Sequence, residues 1–310
     1  LLVVFAVIVG YLAYIALRNT ILLRMALRNV VRRPARTLLA VTGLMLATAI
    51  VSIAFTVGDS LTFSIKSDAT DALRELDEFV GVDANSDVWE GIAVPETFPQ
   101  SLYEEIGQIL EADPDIAATL PQYSEPIAVV NTRSRRFEVQ SLLIGVQADK
   151  ATAFEALSDI DGTPLDIGSL AIDEVYIDVE GAEEIDVVVG GEIEIALGPD
   201  RLVPFTVKAI VDGYYWRDNS TKLVVMTSLA HVQNLLGAEG ELTRILISNR
   251  GDQFEGVQYS ESIEERLSDT PAITEAGLEL VPLKADLVER ANAQGSQLVL
   301  FFTLFGLFSI

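Results

Sequence analysis

The uncharged run from Thr37 to Val57, TLLAVTGLMLATAIVSIAFTV, restricts this chain more than any other feature. As a helix rising 1.5 Å per residue it covers about 30 Å, the depth of a bilayer's hydrocarbon core. The run predicts a membrane span. Immediately before it, Arg24, Arg28 and Arg32 recur every four residues, so they share one face of a helix on which Ile21, Leu22, Met25 and Val30 occupy the rest. Such a helix lies on a membrane surface and lets Arg24, Arg28, Arg32, Arg33 and Arg36 snorkel toward the headgroups. Pro34 removes a backbone donor and stops or bends it.

Residues 1–17, LLVVFAVIVGYLAYIAL, form a second uncharged run, slightly short of the roughly 20 residues a span wants. Lacking an initiating Met and a charged leader, they read as part of a fragment rather than as a signal peptide. The apolar run of residues 298–310 reads as the start of a helix cut short. Charge divides along the chain. Residues 1–64 hold six arginines and one acid, Asp59, whereas residues 65–297 hold fifteen bases and forty-five acids, a net of −30. Arginines gathered between two apolar runs are the positive-inside signature, which places residues 18–36 in the cytoplasm and residues 58–297 outside. With no cysteine, no disulfide framework is available. The acidic outer part repels phosphates, so nucleic acid is excluded as a partner.

The outer part begins with GDSLTFSIKSDATDALRELDEF, residues 58–79, whose Leu61, Ile65, Leu73 and Leu76 continue a helix outward as a stalk. LKADLVERANAQGSQLVLFF, residues 283–302, approaches the membrane in the same style, so two helices are expected to leave and return side by side. Between them, periodicity predicts a strand over 78–84, a helix over 99–112, strands over 125–131 and 135–147, then after a long insertion a strand over 242–249, a helix over 262–269 and a strand over 277–283. This is an α+β arrangement with helices on one face of a small sheet. The insertion, 148–240, contains VYIDVEG, IDVVVGGEIEIAL, LVPFTVKAIVDGYYW and TKLVVMTS as strand runs, with a short helix, SLAHVQNLLG, ending at Gly237, and reads as a mostly β lobe. The domains expected are therefore a span at 1–17, a cytoplasmic Arg-rich segment at 18–36, a span at 37–57, and an outer domain at 58–297. The outer domain consists of a lobe at 78–147 plus 241–283 with the β lobe 148–240 inserted, and a third span opens at 298–310.

ALRNVVRRPARTLLAVTGLMLATAIV ending in GDS, followed in order by LLIGVQADKA, VVVGGEIEIAL, FTVKAIVDG and VVMTSLAHVQNLLG, and then LFFTLFGLFSI, resembles the MacB/FtsX-like permeases of ABC transporters from about Leu22 to Ile310. The resemblance implies α-helical membrane spans and an extracytoplasmic α+β domain, a βαββαβ-like lobe interrupted by a mostly β lobe, on a two-helix stalk. It further implies a plasma-membrane, multi-pass, non-catalytic permease subunit. ATP and Mg would sit on a separate ABC ATPase partner, with no cofactor on this chain, and a second permease half or a homodimer would complete the transporter. The leading span departs from the pattern, as either the last span of a preceding repeat or an added anchor.

Catalytic signatures are sparse. No G-x-x-x-x-G-K-[ST] occurs, and Gly190-Gly191 reads as a turn between strands. His231 is the only histidine and reads as an ordinary helix residue; Glu104-Glu105 and Glu183-Glu184 read as solvated charge. Ala40, Gly43 and Ala47 put small side chains on one side of the span, a spacing that permits close helix packing or simply reflects the frequency of small residues in membrane helices. Tyr214, Tyr215 and Trp216 form an aromatic cluster that is either core or a contact for a ligand or partner. Two functions follow: export or extraction of a lipoprotein, lipid, peptide or drug-like amphiphile by ATP-driven motion of the outer domain, or FtsX-type activation of a cell-wall hydrolase. Membrane lipid and a periplasmic or surface protein complete the partners expected.

Overall fold

A computed structural model describes residues 34–82, 96–198, 201–212 and 221–308, with Tyr11, Tyr14, Arg18, Arg24 and Arg28 individually. The chain divides into two compact units, Leu1–Phe63 with Asn292–Ile310, and Ser64–Ala291. The first contains most of helix α1 (Pro34–Leu73) and of helix α8 (Leu283–Phe308). On α1 the side chains of Leu38, Leu39, Leu44, Met45, Leu46, Ile53 and Phe63 are all exposed. Thr48 and Thr56 donate their hydroxyls to the carbonyls of Leu44 and Ser52 one turn back. Among the described residues no helix is long and apolar enough to cross a membrane. The expected spans at 1–17, 37–57 and 298–310 thus rest on the sequence alone.

The second unit is built on one sheet. Its strands are β1 (Glu78–Val82), β3 (Ile116–Asn131), β4 (Arg136–Val146), β5 (Glu174–Asp178), β6 (Glu192–Ala196), β7 (Leu202–Val211), β8 (Leu223–Ser228), β10 (Arg244–Asn249) and β11 (Leu278–Val281). Their order is β11-β1-β10-β3-β4-β8-β5-β7-β6, and β6 pairs back onto β3. A separate two-stranded ribbon joins β2 (Phe98–Pro99) to β9 (Glu241–Leu242). The topology turns on β3, whose sixteen residues are too many for one flat neighbour. Its first half pairs with β10 from Ile116 to Gln122, and its second half pairs with β6 from Ala128 to Val130, on the edge opposite β4. The sheet is therefore open at β11-β1-β10 and closed into a six-stranded ring at β3-β4-β8-β5-β7-β6. Two pairings, β4 with β8 and β5 with β7, are parallel.

Helices cover both faces, which corrects the expectation of helices on one face. On the first face lie α2 (Gln100–Ala112), α4 (Val179–Ile185), α5 (Leu229–Leu236), α6 (Ser260–Leu267) and α7 (Pro271–Thr274), packing Tyr103, Ile106, Leu110, Ile185, Val232, Ile263 and Ile273 against Val80, Leu143, Ile177, Val225 and Ile247. On the second, α3 (Ala148–Phe154) and the ends of α1 and α8 bring Phe154, Leu73 and Leu283 onto Phe79, Ile144, Tyr176, Met226 and Leu246. Two further expectations are corrected. VYIDVEG is strand only to Asp178, whose carboxylate accepts the Gly181 N–H and starts α4. IDVVVGGEIEIAL likewise opens on the last residue of a helix and a turn, with strand from Glu192. The region 148–240 is also no separate sheet, because β5 to β8 share the sheet of β1, β3, β4 and β10.

Candidate functional site

The described residues concentrate their buried charge where the two long helices join the sheet. Helix α1 ends at Leu73, and Arg74 adopts a left-handed φ of 47°, a conformation uncommon for a residue with a side chain. The turn is closed by the Arg74 N–H to the Thr70 carbonyl and the Leu76 N–H to that of Leu73. Asp77 then donates its N–H to Ile247 and the chain enters β1. On the return path β11, which is the neighbour of β1, passes through Pro282 into α8, whose Lys284 N–H is donated to the Asp77 carbonyl. Both helices thus begin or end on adjacent strands.

Lys284 is 1% exposed and its ammonium lies 2.8 Å from Asp77 Oδ1. It also donates to the carbonyls of Arg74 at 2.6 Å and Gln253 at 3.2 Å. Asp77 Oδ2 accepts the Asn249 N–H. A Cβ at position 256 would collide with the Asp77 carboxylate, so glycine there lets the 250–256 turn close over the pair. Burial raises the Asp77 carboxyl, with Lys284 opposing it. Next to it Glu78, fully buried, accepts from Asn249 Nδ2 at 2.7 Å, and burial pushes it up to about 8, opposed by the nearby Ser260 hydroxyl and the Asn249 hydrogen bond. Arg74 reaches sideways to Glu155, at 3.1 Å, just after α3; burial lifts Glu155 to about 7, opposed by the Arg74 charge. Glu75 is raised too, first by burial. An open cleft of about 730 Å³ adjoins this cluster, lined by Arg74, Glu75, Phe154, Glu155, Gly251 and Gln253.

Chemically this is a joint. A buried ion pair contributes little net stability against an apolar substitute, but breaking it leaves an uncompensated charge, so it specifies one geometry firmly. Here one ammonium ties the end of α1, the start of β1, the start of α8 and the 249–256 turn to one point. A second, smaller pocket of about 280 Å³ lies on the ring half, with Ile172, Val203, Phe205, His231 and Leu235 in its wall. His231 itself is half-buried on α5, its Nδ1 3.3 Å from Thr227 Oγ1.

Of the residues singled out from the sequence, Arg24, Arg28 and Arg36 are exposed, and Arg32 and Arg33 lie outside the described residues. The side chains of Ala40 and Ala47 also lie outside them, and a Cβ added at Gly43 would meet nothing within 4 Å. Tyr214, Tyr215 and Trp216 fall in 213–220, likewise outside. Glu104, Glu105, Glu183 and Glu184 are exposed, and Gly190 takes a φ of 78° in a turn. The Asp77–Lys284 pair escaped the sequence reading. Its one local signal was an Asp-Glu pair opening a strand that is otherwise apolar, EFVGV.

Residues 37–258, more than two thirds of the chain, match the family model described as the MacB-like periplasmic core domain. No curated protein matches. Among solved structures the chain is similar to the periplasmic region of MacB from Actinobacillus actinomycetemcomitans, at 13% identity over 70% of this chain and 92% of that one, with a TM-score of 0.45. It is also similar to the extracellular domain of the noncanonic ABC-type transporter YknZ from Gram-positive bacteria, at 10% identity over 66% of this chain and 98% of that one, with a TM-score of 0.42.

Proposed function

The chain belongs to the MacB-like periplasmic core domain family, within the MacB/FtsX-like permeases of ABC transporters, and on that premise we propose that it transmits ATP-driven motion from the membrane to its extracytoplasmic domain. The observation that carries the proposal is the joint. Helices α1 and α8 meet the sheet on the neighbouring strands β1 and β11, and the Asp77–Lys284 pair ties the two helix–strand junctions together. A displacement of either helix is handed to the sheet as a rigid-body movement instead of being absorbed at a loose linker.

In this reading residues 37–57 cross the membrane. The exposure of Leu38, Leu39, Leu44, Met45, Leu46 and Ile53 on one helix supports it, since a helix apolar all round needs lipid or a protein core about it. The back-bonded hydroxyls of Thr48 and Thr56 support it too, because hydrocarbon offers a hydroxyl no other partner. Residues 18–36 face the cytoplasm with Arg24, Arg28, Arg32, Arg33 and Arg36 at the headgroups, and Ala40, Gly43 and Ala47 face another helix. A separate ABC ATPase supplies the energy, and a second permease half or a second copy completes the transporter. The cargo is a lipoprotein, lipid, peptide or amphiphile, contacted in part by Tyr214, Tyr215 and Trp216.

The experiment uses the complete transporter with its ATPase. Lys284→Met should abolish cargo movement while basal ATP turnover persists. Unchanged cargo movement would refute transmission through the joint, and restoration of a cell-wall hydrolase's activity instead of cargo movement by the parent protein would assign the motion to regulation.

A further inference from the structure

The inner side of the joint contains more acceptors than donors. Glu78 Oε1 accepts from Asn249 Nδ2, which also donates to the Gly256 carbonyl, so both hydrogens of that amide are spent. Glu78 Oε2, Asn249 Oδ1 and Ser260 Oγ are nevertheless buried without a conventional hydrogen-bond partner. All three residues are 0 to 1% exposed. Ser260, at the start of α6, faces the Glu78 carboxyl. The charged groups acting on Glu78 are Asp77 beside it on the chain and Lys284 from α8. Lys284 is already committed to Asp77 and to two carbonyls, so Glu78 has no cation of its own. An ionised carboxylate in that position carries two acceptor oxygens, one of them unanswered, and burial without a partner disfavours its charge.

We propose that Glu78 is a proton-binding site: a proton on Oε2 turns that oxygen into a donor to Ser260 Oγ or Asn249 Oδ1, and loss of the proton to solvent loosens the joint. The same proton gives one of the orphaned acceptors its partner. Burial, which raises Glu78 to about 8, acts in the same direction. Because Glu78 is the first residue of β1 and Ser260 the first of α6, the site couples the proton to the packing of the strand next to the membrane-proximal helices. The site is independent of what the transporter moves.

The test is infrared spectroscopy of the full chain in lipid nanodiscs between pH 6 and 9. At neutral pH ordinary carboxyls are ionised, so a protonated-carboxyl C=O stretch stands out. Glu155 contributes to the stretch up to about pH 7, so the site is read in a Glu155→Gln background: there the stretch should be present, fade as pH rises through about 8, and be absent once Glu78→Gln is added. Ser260→Ala, which keeps the acid and removes its neighbour, should shift the stretch. Hydrogen exchange over residues 74–82, corrected for intrinsic rates, should accelerate above pH 8 in the parent and stay flat in Glu78→Gln. A stretch of unchanged intensity after Glu78→Gln is added to Glu155→Gln, or a Glu155→Gln protein with none at pH 7, would overturn the proposal. So would pH-independent exchange in the parent, which needs no variant to fold.

Discussion

Two buried aspartates sit at opposite ends of the sheet and are satisfied in opposite ways. On the ring half, Asp178 is 1% exposed and accepts the N–H groups of Gly181 and Val224, the latter at 2.6 Å. These two N–H groups belong to α4 and β8, part of the secondary structure itself. At the root, Asp77 is equally buried, but its partners are an ammonium on α8 and an N–H beside a glycine-permitted turn. A carboxylate held by backbone N–H groups is fixed by strands and helices already paired around it, whereas one held by a side-chain charge from a distant segment depends on that ion pair to register the two segments. The ring half is thus a scaffold and the root a joint. At the root Asp77, Glu78 and Glu155 are all shifted upward by burial.

The comparison is broken most severely by Lys284→Met. It strands Asp77 in the interior and should lower the stability of the second unit by about 3–5 kcal/mol, measured by chemical unfolding of the full chain. Asp77→Asn with Lys284→Met should recover most of that loss. A single variant as stable as the parent would dissolve the distinction between joint and scaffold.

Asp178→Ala removes a helix cap and the acceptor for Val224. A loss of about 2 kcal/mol is expected in chemical unfolding of the full chain. A variant as stable as the parent would mean that this carboxylate does not hold α4 and β8 in place.

The root should make stability depend on pH. Glu155 and Glu78 hold protons in the folded state up to about 7 and 8, whereas the unfolded chain gives up the same protons near the ordinary value of 4.5. Folded pKa values above the unfolded ones mean that stability is fully present below about pH 4.5, falls as pH rises through 7 to 8, and is lowest beyond. The thermal midpoint of a His231→Gln background should therefore decline from pH 6 to 9, and Glu155→Gln should flatten the lower part of the decline. A midpoint independent of pH would contradict the assignment. The smallest effect belongs to His231→Ala, expected within about 1 kcal/mol because its ring makes one long contact with Thr227 and lines only a small pocket.

How much of this was legible in the sequence varies with distance along the chain. Local signals read well: α2 ends at Asp113-Pro114 and α5 ends at Gly237, where a φ of 69° needs no Cβ. VYIDVEG misleads because Val175, Tyr176 and Ile177 have strand propensity, although Asp178 ahead of Val179-Glu180-Gly181 is an N-cap. That 78–147 and 148–240 share one sheet was hidden for a nonlocal reason, as β3 extends through 116–131 and pairs with β10 and β6 at its two ends. Nothing in alternation announces which strand a long strand will meet. The joint was hidden for the same reason. Asp77 and Lys284 lie on opposite sides of the whole domain sequence, and only pairing of β1 with β11 brings them together.

The central claim, that motion passes through a stiff connection from helix to sheet, is tested most directly by loosening that connection without touching the joint. Six Gly/Ser residues inserted after Ser60 interrupt α1, which runs unbroken to Leu73. In the complete transporter the account predicts that cargo movement, or hydrolase activation, is lost while expression and the partner's basal ATP turnover stay near the parent's. An insertion mutant that complements a deletion strain as well as the parent would contradict it.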